Sequence, residues 1–241
     1  MKLRFGLIGY GRMGRQVENV ALQRGHVVSR KYDLDSPFLP DAKPDDVDVL
    51  IEFSHPDSVL NSIELALKYS IPIVVGATGW CHKIKEVERN VHEAEGSLFY
   101  AENFSVGMNI FYRIINAAAT LCNRFEEYDP FVHELHHREK IDSPSGTALS
   151  LADIILKEIE RKTEVLPHSA SGKIKAEQLH VTSTRGGSTP GSHIVSFDSE
   201  ADTIELKHAA RNRSGFALGA VYAAEWLIGK KGVFCMDDLL S

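Results

Sequence analysis

The sequence predicts an α/β protein in which an N-terminal, doubly wound parallel sheet is followed by a second domain of the α+β class. Two observations lead to this fold class. Short β-branched runs alternate with helical periods up to about residue 104, and strands that alternate with helices form parallel sheets. Beyond about residue 178, strand-like runs follow one another with turns between them, which indicates a mixed, mainly antiparallel sheet.

The first part of the chain contains the alternating elements. Its predicted strands are Leu3–Ile8, Val27–Asp33, Val47–Phe53, Ile71–Val75 and Leu98–Ala101. Its predicted helices are one that ends near Gly25, one over Pro56–Tyr69 and one over Lys83–Ala94. The proline-rich segment 33–46 is predicted to be a surface loop.

The pattern changes at about Ser105. The predicted elements from there on are a helix over Met108–Arg124, a strand over Phe131–His136, a helix over Thr147–Lys162, strands over Leu179–Thr184, His193–Phe197 and Thr203–His208, and an apolar helix over Phe216–Ile228. The last helix carries small residues at close-packing positions, so we expect it to return to the first sheet. The predicted domains are therefore residues 1–104 completed by 214–241, and residues 105–213.

Composition limits the classes of partner. The net charge of −6 is made of interspersed acidic and basic residues, so no global field favours nucleic acid or an anionic membrane. No run of about 18 apolar residues predicts a membrane span. Three widely spaced cysteines argue against a disulfide framework and against a CxxC-type metal site. We therefore expect a cytoplasmic protein.

The segment GLIGYGRMGRQ carries a glycine motif of the GxGxxG type. Gly9, Gly11 and Gly14 directly follow the first strand and open the first helix. Gly9 permits a tight turn, Gly11 lets a pyrophosphate approach the backbone, and Gly14 lets helix and strand pack closely. Asp33 ends the second strand, where its carboxylate can accept from ribose hydroxyls. The motif predicts a Rossmann-like dinucleotide site; the alternative is a glycine turn in a nucleotide-free domain.

Two further loops follow predicted strands of the same sheet. GATG (Gly76–Gly79) follows the fourth strand, and AENF (Ala101–Phe104) follows the fifth. Open α/β sheets bind ligands at the carboxyl ends of their strands, so both loops are candidate contacts for the nicotinamide side of a cofactor. Alternatively, they are ordinary turns.

The segment ELHHREKIDSPSGTAL allows three interpretations. A metal site is disfavoured because strand alternation places His133 and His136 on opposite faces, and the usual ligand spacings are absent. In a purely structural loop, Ser145 or Thr147 would cap the following helix. In a binding site, the same helix start would hold a small carboxylate.

The binding interpretation explains more of the residues in this segment. His137, Arg138 and Lys140 add positive charge close to the helix start. An imidazole beside a bound anion can donate a proton near neutral pH, and an adjacent lysine can do so as well.

Seven segments together resemble the 4-hydroxy-tetrahydrodipicolinate reductase family, formerly called dihydrodipicolinate reductase. In chain order they are GYGRMGR, IEFSHP, GATGW, AENFSVGMNIF, ELHHREKIDSPSGTA, STRGGSTPGSHIVSF and HAARNRSGFALGAV. The resemblance covers essentially the whole chain. It implies NADH- or NADPH-dependent reduction of (2S,4S)-4-hydroxy-2,3,4,5-tetrahydrodipicolinate to 2,3,4,5-tetrahydrodipicolinate with loss of water, in the diaminopimelate route to lysine. It also implies a homotetramer assembled through the second domain, which would bind the small dicarboxylate substrate.

The resemblance also implies residue roles. His136 would be the proton donor and acceptor, and Lys140 a proton donor. The substrate-binding residues would be His137, Ser145, Gly146, Thr147 and Arg213. The cofactor-binding residues would be Gly9, Tyr10, Gly11, Arg12, Met13, Gly14, Asp33, Gly76, Ala77, Thr78, Ala101, Glu102, Asn103 and Phe104. No metal is expected.

Four departures from the family pattern stand out. The first glycine turn is one residue shorter than in many members, and Ala77 replaces the threonine of the usual GTTG loop. Glu102 replaces a small residue or proline. Leu34 follows Asp33 where members that accept NADPH often have a basic residue, although Lys31 lies close enough in sequence to serve a 2′-phosphate. Taken together, Leu34 and Lys31 slightly favour NADH over NADPH as the cofactor. One alternative is another two-domain dehydrogenase, such as an aspartate or homoserine dehydrogenase, which the HHxxK and SGT cluster opposes. The other is a nucleotide-sensing or scaffold protein without turnover, which the intact pair of His136 and Lys140 opposes.

Overall fold

The computed structural model describes residues 1–41 and 43–241, which form two compact units. The first unit contains Met1–Val106 and Arg213–Ser241, and the second contains Gly107–Asn212. Among the described residues, no helix combines the length and the apolar character that a membrane crossing requires.

The elements have the following bounds. The strands are β1 (Arg4–Ile8), β2 (Val27–Tyr32), β3 (Val49–Glu52), β4 (Ile73–Val75), β5 (Ser97–Tyr100), β6 (Asp129–His136), β7 (Glu164–Leu166), β8 (Gln178–Arg185), β9 (Ser192–Asp198), β10 (Thr203–Ala209) and β11 (Gly232–Phe234). The helices are α1 (Arg12–Gln23), α2 (Pro56–Lys68), α3 (Ile84–Glu93), α4 (Val106–Cys122), α5 (Gly146–Glu158), α6 (Ser214–Leu227) and α7 (Met236–Leu239), with a 3-10 turn at Cys81–Lys83 before α3.

The first unit is built on a parallel sheet of six strands in the order β11-β5-β4-β3-β1-β2. One face packs on α1 and α6, and the other packs on α2 and α3. All four residues of β3 are buried, as expected for a central strand covered on both faces. The predicted doubly wound parallel sheet is therefore confirmed.

The second unit is built on a mixed sheet in the order β10-β9-β6-β8-β7. The antiparallel pairings of β9 with β6 and with β10 each span seven residue pairs. The parallel pairings of β8 with β6 and with β7 span six and three. The predicted mixed, mainly antiparallel sheet is thus confirmed as well.

Strand β6 presents alternate residues to the core of the second unit. Pro130, Val132, Glu134 and His136 are buried, whereas the residues between them are exposed or half-buried. Val132 packs in an apolar cluster with residues of α4 and α5. Glu134 and His136 continue the same buried row towards the carboxyl end of the strand, so two polar side chains are placed at the edge of an apolar core.

The predicted helix over Thr147–Lys162 is wrong at its end, because α5 stops at Glu158. Ile159 has an extended backbone and a fully buried side chain. Lys162 is also buried, and its ammonium group donates to Ala176 O at 2.8 Å and to Gln178 O at 2.9 Å and pairs with Asp129. These tertiary contacts outweigh the helical periodicity. Elements β7, β11 and α7 were not predicted, because segments of three or four residues carry little periodicity.

Candidate functional site

The glycine turn after β1 is closed by backbone contacts that exclude larger residues. Gly9 has φ +83°, and a Cβ there would lie 2.7 Å from the backbone of Phe53. A Cβ on Gly14 would lie 2.4 Å from Gly9 O. Around Gly11, in contrast, a Cβ would meet none of the described atoms within 4 Å, and none of the described side chains caps α1 there. The first N–H groups of α1 can therefore donate to an anion.

A cavity of about 450 Å³ opens beside this turn. Gly9, Gly11 and Asp33 contribute to its lining, together with the aromatic side chains of Phe38 and Phe53. Apolar walls, an acid at the end of β2 and a glycine turn are the features expected where an adenosine group binds. The structure thus brings together the glycine motif and the acid that the sequence singled out.

Lys31 lies near this turn but is already engaged. Its ammonium group lies 2.7 Å from Glu18 Oε1, donates to the Tyr10 hydroxyl at 3.0 Å, and lies 4.3 Å from the centre of the Tyr10 ring. The hydrogen bond to Glu18 raises the pKa of Lys31. Burial opposes ionisation of Glu18, but hydrogen bonds from Lys31 and Tyr10 outweigh it and lower the pKa of that carboxyl. The positive charge of Lys31 is therefore already paired with the carboxylate of Glu18.

The two predicted nicotinamide-side loops follow β4 and β5, which are neighbours in the sheet. A Cβ on Gly76 would lie 2.1 Å from the Phe53 ring, so the loop after β4 passes directly over that side chain. Ala77 O accepts from Trp80 Nε1 at 2.9 Å. In the second loop, Asn103 Oδ1 accepts from Ser105 N at 2.9 Å, which shapes the start of α4.

The remaining residues of these loops differ in exposure. Thr78 and Glu102 are exposed, Ala101 is half-buried, and Phe104 is buried. A Cβ on Gly219 of α6 would lie 1.7 Å from Phe104 O, so α6 packs directly against the second loop.

Sequence analysis did not single out Glu52, a buried carboxyl group at the end of β3. Its Oε1 accepts from Ser54 N at 2.8 Å and also from Ser54 Oγ. Burial raises the pKa of Glu52. The segment IEFSHP contains this acid inside a buried strand, and that unusual position was the available signal.

The second unit contains a hydrogen-bonded carboxylate, that of Glu134, at the edge of its core. Oε1 accepts from Ser145 N at 2.9 Å, from Ser183 Oγ at 2.8 Å and from Arg185 Nη2 at 2.7 Å. Oε2 accepts from Ser145 Oγ and lies 3.6 Å from His193 Nε2. Burial would raise the pKa of Glu134, but the surrounding donors, His193 first among them, outweigh that effect and hold the pKa far below its usual range.

His136 lies next to this carboxylate on the same face of β6. Its Nδ1 is 3.2 Å from Glu134 Oε2, without the alignment of a good hydrogen bond, and its ring packs edge-on against His193 with 5.2 Å between centres. Burial lowers the pKa of His136 to about 4, and only Glu134 opposes this shift. The imidazole is therefore neutral at pH 7 in this environment, which differs from the expected titration near neutral pH.

Gly191, just before β9, lies directly beside the other nitrogen of His136. A Cβ on Gly191 would lie 2.8 Å from His136 Nε2, and φ at this residue is +150°. Both the space and the backbone conformation therefore favour glycine.

The predicted helix cap and the predicted anion site coincide at Ser145. Its side chain accepts from Ala148 N at 3.2 Å, so Ser145 caps α5. Gly146 is exposed, and a Cβ there would meet none of the described atoms within 4 Å. Thr147 is half-buried. An open, glycine-containing helix start is available to a carboxylate.

The loop between β6 and α5 holds the other predicted residues. His137 N donates to Thr189 O at 2.8 Å, which fixes the backbone after β6. Lys140 Nζ donates to Asp142 Oδ1 at 2.7 Å, and this bond lowers the pKa of Asp142. The structure thus brings His136, His137, Lys140 and the Ser145–Thr147 turn into one unit. Arg213 falls in the first unit, as the residue before α6.

Three potential metal ligands meet at this site, namely Glu134, His136 and His193, with their ligand atoms within 4.8 Å of one another. The carboxylate already accepts from Ser145 and Ser183, and the guanidinium of Arg185 would lie beside any bound cation. These contacts indicate that Glu134 acts as a hydrogen-bonded carboxylate and not as a metal ligand. The expectation that His133 lies on the opposite face is confirmed, because its Nδ1 lies 2.9 Å from Thr182 Oγ1 outside the buried row.

Five members of this site were not predicted from the sequence. They are Glu134, Ser183, Arg185, Gly191 and His193. Glu134 could have been predicted, because it lies two residues before His136 and residues two apart on a strand share a face. The others depend on the register of β8 and β9 against β6, which the sequence alone does not give.

A doubly wound sheet with a glycine turn and an acid after the second strand is typical of nicotinamide-dependent oxidoreductases, and a buried histidine in the second unit is a candidate proton-transfer group. Comparisons with known proteins specify the family. The family models described as "Dihydrodipicolinate reductase, N-terminus" and "Dihydrodipicolinate reductase, C-terminus" match residues 3–104 and 107–240. The chain belongs to the dihydrodipicolinate reductase family.

Full-length relatives support this assignment. A 4-hydroxy-tetrahydrodipicolinate reductase of Christiangramia forsetii is 36% identical over 239 residues, which cover 99% of this chain and 98% of the relative. One of Archaeoglobus fulgidus is 34% identical, with an alignment that covers 96% of each chain. A solved structure, described as dipicolinate-bound dihydrodipicolinate reductase from Paenisporosarcina sp. TG-14, shares the fold with a TM-score of 0.76 at 20% identity and 98% coverage of both chains.

Proposed function

We propose that this protein reduces (2S,4S)-4-hydroxy-2,3,4,5-tetrahydrodipicolinate to 2,3,4,5-tetrahydrodipicolinate with loss of water, in the diaminopimelate route to lysine. The observation that carries the proposal is full-length membership of the family together with an intact His136, Lys140 and Ser145–Thr147 constellation in one unit. The reaction consumes one NAD(P)H and one proton, and it releases NAD(P)⁺ and water.

The first unit is proposed to bind the cofactor, and the second is proposed to bind the substrate and to form the oligomer. The bound nicotinamide would supply a hydride. The glycine turn and the first N–H groups of α1 would hold the pyrophosphate, and Asp33 would accept from the ribose hydroxyls. The Gly76–Thr78 and Ala101–Phe104 loops would contact the nicotinamide side.

NADH is the proposed cofactor. Asp33 lines the cavity, and the residue after it, Leu34, is 95% exposed and offers no positive charge. Lys31 is paired with Glu18. A 2′-phosphate would therefore approach the Asp33 carboxylate, whereas the charge of Lys31 is already offset by Glu18.

In the second unit, the proposed ligand is a small dicarboxylate. The relative from Paenisporosarcina was solved with dipicolinate, a planar dicarboxylate, which supports this class of ligand. His137 and the Ser145–Thr147 turn would bind carboxylate groups, with Arg213 as a further contact. His136 and Lys140 would transfer protons. Because His136 is neutral at pH 7, a bound anion beside it would have to raise its pKa before the imidazolium can donate.

A homotetramer in the cytoplasm is also proposed. The outer face of the second sheet carries partly exposed apolar side chains, namely Phe131, which is 39% exposed, and the half-buried Leu135 and Ile194. Such residues support association through this face. Size-exclusion chromatography with light scattering would test the tetramer.

A coupled assay tests the activity. The preceding synthase, supplied with pyruvate and aspartate semialdehyde, generates the substrate, and NADH or NADPH oxidation is followed at 340 nm. Oxidation above background is expected, with a higher kcat/KM for NADH. Absence of oxidation with either cofactor would reject the proposal. The variants His136→Gln and Lys140→Ala should lower kcat far more than cofactor affinity; equal losses in both would assign these residues a structural role.

A further inference from the structure

We propose that Glu134 is a positioning residue of the reductase site, whose buried carboxylate fixes both the tautomer of His136 and the start of helix α5. The inference rests on the proposed function, because it assigns to Glu134 the geometry of groups that would handle the proton and the substrate carboxylate. In this proposal Glu134 neither contacts the substrate carboxylate nor transfers a proton. It acts through His136 and Ser145.

The contacts of Glu134 divide between its two oxygens. Oε1 accepts three hydrogen bonds, from Ser145 N, Ser183 Oγ and Arg185 Nη2, at 2.7 to 2.9 Å. Oε2 accepts from Ser145 Oγ and lies 3.2 Å from His136 Nδ1. One carboxylate thus accepts hydrogen bonds from a helix cap and lies directly beside the imidazole.

The negative charge of Oε2 selects one tautomer of the imidazole. A nitrogen 3.2 Å from a carboxylate oxygen is stabilised as N–H and destabilised as a bare lone pair, so the proton of neutral His136 belongs on Nδ1. Nε2 then carries the lone pair and lies beside Gly191, which has no side chain to crowd it. A proton taken up or released by His136 passes through that atom.

Strand register makes this arrangement rigid. Glu134 pairs with Ser183 of β8 and with His193 of β9, and His193 pairs in turn with His208 of β10. The four residues form one row across the sheet. Strand-borne groups with locked neighbours hold a site more precisely than loops do. The charged or titratable groups that affect His136 are Glu134, His193, Lys140 and Arg185.

Replacing Glu134 by glutamine gives a specific structural expectation. Three donors surround the position of Oε1, so the glutamine carbonyl must occupy it. The amide NH₂ group then takes the place of Oε2 and faces His136 Nδ1. Because an NH₂ group donates and does not accept, the neutral imidazole should change to the Nε2–H tautomer.

The experiment compares wild type, Glu134→Gln, Glu134→Asp and Glu177→Gln. The last variant makes the same chemical change at an exposed residue of the same unit and is the matched control. Long-range ¹H–¹⁵N NMR at pH 7, without substrate, reports the tautomer of His136. The coupled assay reports kcat and both KM values, and circular dichroism and thermal melting report folding.

We expect Glu134→Gln to convert His136 to the Nε2–H tautomer and to lower kcat about 10²- to 10⁴-fold, as misplaced or wrongly tautomeric catalytic groups do. The KM for NADH should stay within about twofold, because the cofactor residues lie in the other unit. Glu134→Asp keeps an acceptor but withdraws it by about one C–C bond, so its kcat should lie between those of wild type and Glu134→Gln. Glu177→Gln should match wild type.

Three results would overturn the inference: an Nε2–H tautomer in wild type, an unchanged tautomer in folded Glu134→Gln, or a kcat within about twofold of wild type in that variant. If Glu134→Gln does not fold, wild-type kcat in Glu134→Asp overturns it instead. The NMR measurement requires no turnover. An inactive wild type with the expected tautomer change would therefore reject the proposed function while supporting the role of Glu134.

Discussion

Replacing Gly14 by alanine should damage both the stability and the cofactor affinity of the protein. The added Cβ would lie 2.4 Å from Gly9 O, whereas ordinary contacts between such atoms begin near 3.4 Å. Helix α1 therefore has to move by about 1 Å away from the glycine turn, since the opposing atom belongs to the backbone and cannot rotate away. This movement withdraws the N–H groups at the start of α1 from a pyrophosphate.

Two opposing effects set the magnitude. Overpacking against a rigid neighbour costs about 1–3 kcal/mol, and contact with backbone places Gly14→Ala at the upper end of that range. Alanine in a helix regains about 0.5–1 kcal/mol relative to glycine. The net loss should be about 2 kcal/mol, which corresponds to a fall in Tm of about 4–8 °C for a chain of this size. The Kd for NADH should rise at least about tenfold, the equivalent of one lost hydrogen bond to a charged group.

Gly11→Ala is the matched control. A Cβ there meets none of the described atoms within 4 Å, so the stability should change by no more than about 0.5 kcal/mol. The same Cβ would occupy the path of the pyrophosphate, so NADH affinity should still fall. Differential scanning calorimetry gives Tm, and fluorescence titration gives Kd. Wild-type stability in Gly14→Ala, or wild-type NADH affinity in Gly11→Ala, would refute the assignment of these two roles.

The remaining predictions concern cofactor choice, the histidine site and pH. Leu34→Arg places a cation beside Asp33 and should raise the ratio of kcat/KM for NADPH to that for NADH at least about tenfold, by steady-state kinetics; an unchanged ratio would contradict the cavity assignment. Gly191→Ala brings a Cβ to 2.8 Å from His136 Nε2 and should lower kcat about ten- to hundredfold without changing the KM for NADH; full activity would show that Nε2 is not the reacting atom. Glu225→Gln should destabilise the protein by about 1–3 kcal/mol at pH 7, since Glu225 accepts from Arg24 and lies 2.6 Å from His26 Nε2. Burial opposes ionisation of Glu225, but these bonds outweigh it and lower its pKa, so the stabilisation is complete above the unfolded pKa of about 4.3 and is lost as the pH falls through the lower folded pKa. Urea unfolding of both proteins between pH 3 and pH 7 checks this, and a pH-independent difference would contradict it.

The sequence predicted those features that depend on local pattern. The strand before Gly9, the helix that the glycine turn opens and the opposite faces of His133 and His136 on β6 each follow from periodicity and glycine spacing, and the structure has all three. Family resemblance added the residue roles, which stay predictions until variants are tested.

Features that depend on long-range pairing were not predictable. The environment of His136 illustrates this best, because the residues that surround it come from strands about 50 positions later in the chain. Burial among them lowers its pKa to about 4, a result that no local pattern contains. Likewise, Lys31 was available to a phosphate on sequence grounds, but the fold places Glu18 beside it.

The discontinuity of the first unit bears on how the protein is made. A nascent chain that has emerged as far as Asn212 contains all of the second unit and five strands of the first sheet, but neither α6 nor β11. The sheet face that includes Ile51, Val74 and Phe99 then lacks α6, one of the two helices that bury it in the finished protein. We therefore expect the second unit to fold first on the ribosome, and the first unit to become stable only after α6 and β11 have emerged, so truncations that remove these two elements should be prone to aggregation.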